Sequence, residues 1–157
     1  MSIKIVRIDD RLIHGQVVTT WVKQYGIEQI IIVNDLIARD QVQMAVMQLA
    51  GPTGVKIVPL TVEKFINAYN SNPIKRSTML IFTNPADVEK TLEGGVKIPF
   101  LNVGGMKFIS GKTWITKAVS IDESDKNAFK KIMERGIDVQ IQMLPNDKQI
   151  SMKKLIK

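Results

Sequence analysis

The amino-acid sequence predicts an α/β protein, a three-layer α/β/α sandwich with an open, mostly parallel central sheet. Apolar runs with strand character alternate with segments of helical periodicity along the whole chain. Strands that are separated by helices pair in parallel through right-handed crossovers, so helices cover both faces of the sheet. With 157 residues and neither a linker nor a repeat, the chain is expected to form a single domain over residues 1–157.

The first two strand–helix units occupy the N-terminal third of the chain. Residues 3–8 are a predicted strand, and residues 15–25 have the spacing of a helix. Residues 29–34 form a β-branched strand. Residues 36–49 follow as one helix, which Gly51 closes. The apolar residues of this helix recur at helical intervals: Ile37, Val42, Ala45, Val46 and Leu49.

The third unit and the fourth strand have clearer boundary signals. Residues 55–60 are a predicted strand, and Thr61 is the expected N-cap of the helix that follows. The Ser-Asn-Pro sequence at residues 71–73 ends this helix. Residues 79–83 are the fourth strand. Asn84, with a proline at the first helical position after it, then begins the next helix.

The C-terminal half continues the alternation. The helix that begins at Asn84 ends at the glycine pair of residues 94–95, and residues 100–103 run as a fifth strand. Residues 117–121 are a short predicted strand. Asp122 caps a helix over residues 123–135, which stops at Gly136. Residues 138–143 alternate as a last strand before a polar tail.

The charge and hydropathy of the chain indicate which kinds of molecule it can bind. The chain has 22 Lys+Arg against 15 Asp+Glu and a net charge of +7, which favours anionic partners. The basic residues are dispersed and not interleaved with aromatic ones, so a basic soluble surface fits better than a nucleic-acid groove, and no nucleic-acid partner is expected. No apolar run approaches the ~20 residues of a membrane-spanning helix, and no signal peptide is recognised. A cytoplasmic protein is therefore expected.

Cofactor motifs are missing from the sequence. Cysteine is absent and there is one histidine, so a zinc ion would find only carboxylates beside a single imidazole. Neither a phosphate-binding G-x-x-x-x-G-K-[ST] sequence nor a G-x-G-x-x-G sequence after the first strand is present. We therefore expect neither a metal nor a nucleotide cofactor. Trp21 and Trp114 are interpreted as core or interface anchors.

The polar loop after the first strand concentrates the reactive side chains. Asp9, Asp10, Arg11 and His14 precede Gly15 and the predicted N-terminus of a helix, where amide N–H groups and the helix dipole favour an anion. Arg11 can place two N–H groups on a phosphate, and a neutral imidazole can attack phosphorus. Either Asp9 or Asp10 could hold the other ring nitrogen. Ligands of such sheets bind at the carboxyl ends of the strands, where this loop lies.

The residues alone leave several interpretations open. His14 could be a surface or capping residue without a chemical role. The loop could instead bind a free anionic metabolite or nucleotide with no covalent step, and a nucleic-acid binder would depend on the basic charge alone. The glycine pair at Gly104 and Gly105 is expected only to let the chain turn.

Residues 8–17 closely resemble the phosphorylation-site signature of the IIB proteins of the mannose, fructose and sorbose family of phosphoenolpyruvate-dependent sugar phosphotransferase systems. Residues 80–85 and 102–106 are similar to two further segments of that family, and the end of the last long helix is similar as well. The resemblance therefore covers essentially the whole chain. It implies the same three-layer α/β fold.

The resemblance also implies a phosphate relay. His14 would accept phosphate at Nδ1 from a phosphohistidine on a IIA protein or domain, and pass it to a sugar held by the membrane-embedded IIC and IID subunits. Arg11 would be the main candidate for steadying the transferred group, with Asp10 a weaker candidate and Thr83 assisting from a neighbouring strand. The protein would be cytoplasmic, attached to the inner face of the membrane through IIC and IID.

Overall fold

A computed structural model describes residues 2–156. Its strands are β1 (Ile3–Asp9), β2 (Gln29–Val33), β3 (Lys56–Leu60), β4 (Thr78–Phe82), β5 (Leu101–Gly105), β6 (Thr113–Trp114), β7 (Ser120–Ile121), β8 (Val139–Ile141) and β9 (Ile150–Ser151). Its helices are α1 (Gly15–Tyr25), α2 (Asp35–Ala38), α3 (Gln41–Ala50), α4 (Val62–Ser71), α5 (Pro85–Glu93), α6 (Glu123–Glu134) and α7 (Met152–Leu155).

The central sheet has the strand order β3-β2-β4-β1-β5-β8-β9. Neighbouring strands of this sheet pair in parallel, except that β9 runs antiparallel to β8. The predicted fold class, an α/β sandwich around a mostly parallel sheet, is confirmed. The predicted strand at residues 117–121 meets the extension of β5 through a single parallel bridge, between Val119 and Met106. The strand itself is limited to Ser120–Ile121, which pairs antiparallel with Thr113–Trp114 in a separate ribbon.

Helices cover both faces of the sheet and enclose two cores. One core lies under α4, α5, α6 and α7, to which these helices contribute Phe65, Val88, Phe129 and Met152. The other lies under α1 and α3, where Trp21 and Met47 are buried. Trp21 is therefore a core anchor. No helix within residues 2–156 is both long enough and apolar enough to span a bilayer.

The predicted helix over residues 36–49 is two helices, α2 and α3. The side chain of Asn34 caps α2, and the side chain of Asp40 accepts from the backbone N–H groups of Val42 and Gln43 at 3.0 and 3.1 Å. A side chain that caps a new first turn competes with continuation of the old helix, so the chain breaks at Asp40. Of α3, Met47 is buried, whereas Leu49 is 88% exposed.

The segment expected to be a polar tail is ordered and partly buried. Its two-residue strand β9 extends the sheet at β8, and the short helix α7 then packs under the sheet. Met152 and Ile156 occupy the core, because a spacing of four residues places both on one side of the turn.

The connections that leave the neighbouring strands β1 and β5 run in opposite directions along the sheet. From β1 the chain passes through α1 to β2, which lies on the β4 side of β1, whereas from β5 it leads to β8 on the opposite side. The carboxyl ends of β1 and β5 therefore form the topological switch point, where open α/β sheets bind their ligands.

Candidate functional site

The loop between β1 and α1 is a tight turn at this switch point. The backbone N–H of Leu12 donates to the carbonyl of Asp9 at 3.0 Å, and Leu12 has a φ of 63°, in the left-handed region. This conformation costs a non-glycine residue about 1 kcal/mol or more. The Leu12 side chain is buried in the core under α1, which holds the turn. The turn leaves Arg11 and His14 partly exposed.

Asp9 is buried at the end of β1, and its carboxylate contacts two residues of the loop, Arg11 and His14. Its Oδ1 accepts from Nε of Arg11 at 3.0 Å and from the backbone N–H of Arg11 at 3.1 Å. Its Oδ2 accepts from Nη2 of Arg11 at 3.0 Å and lies 3.2 Å from Nε2 of His14. Of the two aspartates that the sequence left as alternatives, Asp9 is the one that contacts the imidazole.

Asp10 has a different partner. Its Oδ2 accepts from the backbone N–H of Lys107 at 2.8 Å, and its own N–H donates to the carbonyl of Gly105 at 3.2 Å. Both contacts lead to the segment at the end of β5. Asp10 therefore fastens the β1–α1 loop to the neighbouring loop.

A residue that sequence reasoning missed, Arg7, lies directly beneath Asp9. It is buried in β1, and its Nη2 donates to Oδ2 of Asp9 at 3.3 Å and to the carbonyl of Met143 at 3.0 Å. Its Nη1 donates to the carbonyl of Gln142 at 2.8 Å and to Oδ1 of Asn102. One sequence signal could have found it, because an arginine inside a strand of buried apolar residues requires a buried partner.

Two neighbours fix the guanidinium of Arg7. It lies 5.1 Å from the ring centroid of Trp21, in cation–π contact. On the other side, a Cβ on Gly104 would come within 1.9 Å of Arg7 Nη2. Neither Gly104 nor Gly105 has a positive φ, so the expectation that they let the chain turn is wrong. Gly104 is small because the guanidinium lies against it.

The charges of this cluster support one another. Burial works to raise the pKa of Asp9, but the hydrogen bond from Arg11, the charge of Arg7 and the hydrogen bond from His14 outweigh it, so the pKa lies below its usual value. Burial lowers the pKa of Arg7 to about 10, against the opposing charge of Asp9. Arg7 still carries its charge at neutral pH. Two guanidinium groups therefore share one carboxylate, and the cluster is net positive.

The imidazole of His14 has one ring nitrogen directed at a carboxylate. Nε2 contacts Asp9, so the tautomer that carries a proton there donates it to Asp9 and has its lone pair on Nδ1. The side chain of His14 is 25% exposed and that of Arg11 is 41% exposed. His14 is also the N-cap residue of α1, whose first turn has neither a side-chain cap nor an acidic residue.

Thr83 belongs to an adjacent cluster. Ile8 pairs with Phe82, so Thr83 stands level with Asp9 on the neighbouring strand end. Its Oγ1 accepts from Nδ2 of Asn34 at 2.8 Å and from Nδ2 of Asn84 at 3.2 Å. Its hydrogen bonds thus join β2 and β4. Within residues 2–156, no group of three or more histidine and acidic side chains could hold a metal ion.

Comparison with family models gives a match over nearly the whole chain. The model described as "PTS system sorbose subfamily IIB component" matches residues 3–157. A relative with 47% identity over 158 residues is the "PTS system mannose-specific EIIAB component" of Escherichia coli K12. That alignment covers 99% of this chain and 49% of the relative, so this chain spans about half the length of the mannose-specific relatives that it matches.

Other relatives are matched over nearly their whole length. The "PTS system fructose-specific EIIB component" of Bacillus subtilis is 39% identical, with 94% of this chain and 91% of that protein covered. Among solved structures, the IIBSor domain of the sorbose permease from Klebsiella pneumoniae superposes with a TM-score of 0.94 at 38% identity. That match covers 99% of this chain and 96% of the other.

Proposed function

The chain belongs to the sorbose subfamily of phosphotransferase-system IIB components, and from this membership we propose that it is a sugar-specific phosphocarrier with His14 as its phosphorylated residue. The observation that carries the proposal is the direction of the imidazole. Asp9 lies 3.2 Å from Nε2, so Nδ1 is the ring nitrogen available as nucleophile. His14 is the N-cap residue of α1 and shares Asp9 with Arg11, so a phosphoryl group on His14 would meet positive charge.

The proposed acceptance step needs little machinery. The lone pair of Nδ1 attacks phosphorus, and the new N–P bond forms as the N–P bond of a donor phosphohistidine breaks. Positive charge develops on the imidazole ring during the attack. The carboxylate of Asp9 stabilises that charge through Nε2–H and keeps the ring in one orientation. The buried Arg7 in turn keeps Asp9 ionised and in place.

Arg11 and the N-terminus of α1 are the groups to which we assign stabilisation of the phosphate oxygens. Arg11 uses Nε and Nη2 on Asp9, and we assign its Nη1 to the transferred phosphoryl group. The first N–H groups of α1 supply further donors, and Gly15, with a φ of 46°, has nothing within 4 Å of where a Cβ would stand. Catalysis here is positioning and charge stabilisation, as phosphoryl transfer requires. Neither a metal ion nor a nucleotide takes part in the proposed step.

The partners follow from the same proposal. The donor is a phosphorylated IIA protein or domain, and the E. coli relative is itself named a mannose-specific EIIAB component. The acceptor is a sugar held by the IIC and IID membrane subunits, so the protein acts at the cytoplasmic face of the membrane. The enzyme activity is that of a protein-phosphohistidine–sugar phosphotransferase.

Phosphate labelling tests the proposal. The protein is incubated with phosphoenolpyruvate, the general phosphocarriers and the cognate IIA, and acid-labile, base-stable phosphate is measured on the wild type, on His14→Ala and on the control Gln16→Ala. We expect label on the wild type and the control, and none on His14→Ala, which keeps its fold because His14 is half-buried on a loop. Label that persists in His14→Ala would refute the assignment. Tight binding of free phosphorylated sugars without any labelling would instead indicate an anion sensor.

A further inference from the structure

The loop that follows β5 carries exposed aromatic side chains beside the His14 site. We define the aromatic loop as residues 106–117. Phe108, Ile109 and Trp114 are 48%, 51% and 51% exposed, and the rings of Phe108 and Trp114 stack with centroids 5.7 Å apart. Trp114, expected to be a core or interface anchor, is therefore not part of the core. Large apolar side chains grouped at a surface mark a binding site.

The lysines of the aromatic loop indicate which kind of surface it binds. The segment contains the lysines 107, 112 and 117 and no acidic residue. Lys112 pairs with Asp125 at 3.1 Å, whereas Lys107 and Lys117 are exposed. Lysines beside exposed tryptophan and phenylalanine are the composition that binds the headgroup region of an anionic bilayer. Lysine is depleted in protein–protein interfaces, so a bilayer fits this composition better.

Hydrogen bonds join the aromatic loop to the loop that carries His14. The backbone N–H of Lys107 donates to Asp10 in the loop that carries His14, and Ser120 Oγ donates to the carbonyl of Lys107 at 2.9 Å. Met106 is joined to the next segment by backbone hydrogen bonds with Ala118 and Ser120. The base of the aromatic loop is thus fixed to the loop that carries His14, at the carboxyl end of β5.

From these observations we propose that the aromatic loop binds an anionic lipid surface. Phe108, Ile109 and Trp114 enter the headgroup region, and Lys107 and Lys117 contact the lipid phosphates. The benefit of this contact rests on the proposed function, because it would hold His14 near a sugar bound in the membrane. The lipid contact itself needs no phosphate transfer. Either proposal can therefore fail while the other stands.

Vesicle binding tests the proposal on the intact chain. Co-sedimentation is measured with vesicles of phosphatidylcholine and phosphatidylglycerol, and with phosphatidylcholine alone. We expect binding to the anionic vesicles and roughly tenfold weaker binding of the double variant Phe108→Ser, Trp114→Ser. The control, Val42→Ser with Leu49→Ser, removes two apolar side chains of α3 that are even more exposed than Phe108 and Trp114, and should bind like the wild type.

Tryptophan fluorescence gives a second readout. Trp21 is buried, so a blue shift on addition of anionic vesicles reports on Trp114, and the double variant should not show it. The proposal is overturned if the wild type does not bind anionic vesicles, or if the double variant binds them like the wild type. If vesicle binding is absent and the double variant raises the KM for phospho-IIA, the aromatic loop is a protein contact instead.

Discussion

The buried carboxylate of Asp9 holds the side chains of the candidate site together. One buried carboxylate accepts from the guanidinium groups of Arg7 and Arg11 and contacts the imidazole of His14. A carboxylate can fix the tautomer of a histidine only if it is itself fixed and ionised. The buried guanidinium of Arg7 both fixes the carboxylate of Asp9 and keeps it ionised. Arg11 adds hydrogen bonds from the exposed side.

Arg11 should matter more for transfer than for folding. We expect Arg11→Ala to slow phosphate transfer from IIA by about 10²–10³-fold, because it removes a charged donor from the transition state. The free energy of unfolding should fall by only about 1–2 kcal/mol, since Asp9 keeps its pairing with Arg7. Rapid-quench kinetics and urea unfolding measure the two effects. Arg11→Lys, which keeps the charge without the planar fork, should be intermediate in rate, and an unchanged rate in Arg11→Ala would contradict this role.

The contribution of Asp9 to the free energy of unfolding should depend on pH in the acidic range. Its pKa is lower in the folded protein than in the unfolded chain, so its stabilising contribution is complete above the unfolded pKa of about 4 and is lost as pH falls through the folded pKa. At neutral pH, Asp9→Asn should be less stable by about 3–5 kcal/mol, since the charge of Arg7 stays buried without a counter-ion. The difference between the two proteins should narrow below pH ~4. Urea unfolding over a pH series measures this, and parallel stability curves would count against it.

At the scale of elements, the order of strands and helices could be predicted because each carries its own local pattern. The helix α5 is an example, since Asn84 caps it and Pro85 occupies its first position. The break at Asp40 could not be predicted from periodicity, because a capping side chain and a continuing helix suit the same sequence. The helix α7 has only four residues and depends on packing against distant strands.

The C-terminal helix provides a test at this scale. Met152 is fully buried under the sheet, whereas Leu155 on the same short helix is 38% exposed. Met152→Ala should therefore lower the free energy of unfolding by about 2–5 kcal/mol. Leu155→Ala should change it by less than about 1 kcal/mol. Urea unfolding of both variants measures the difference, and equal effects would mean that α7 does not contribute to the core.

At the scale of the whole molecule, the candidate site joins parts that lie far apart in sequence. Asp9, Arg11 and His14 stand within six positions, so the sequence alone could group them. The contact of Arg7 with Gln142 spans 135 positions, and only the parallel sheet brings those residues together. Sequence reasoning therefore found the three residues that belong to the β1–α1 segment. The contacts of Arg7 with its partners, which hold Asp9 in place, could be recognised only from the fold.

The central claim is that the whole fold presents Nδ1 of His14 as the phosphate acceptor. Long-range ¹H–¹⁵N correlation spectra of the protein phosphorylated through IIA identify which ring nitrogen carries the phosphoryl group. Since the chain has a single histidine, one imidazole contributes to those spectra. We expect the phosphoryl group on Nδ1 and a proton retained on Nε2 towards Asp9. A phosphoryl group on Nε2, or an unmodified His14 in the labelled protein, would contradict the account.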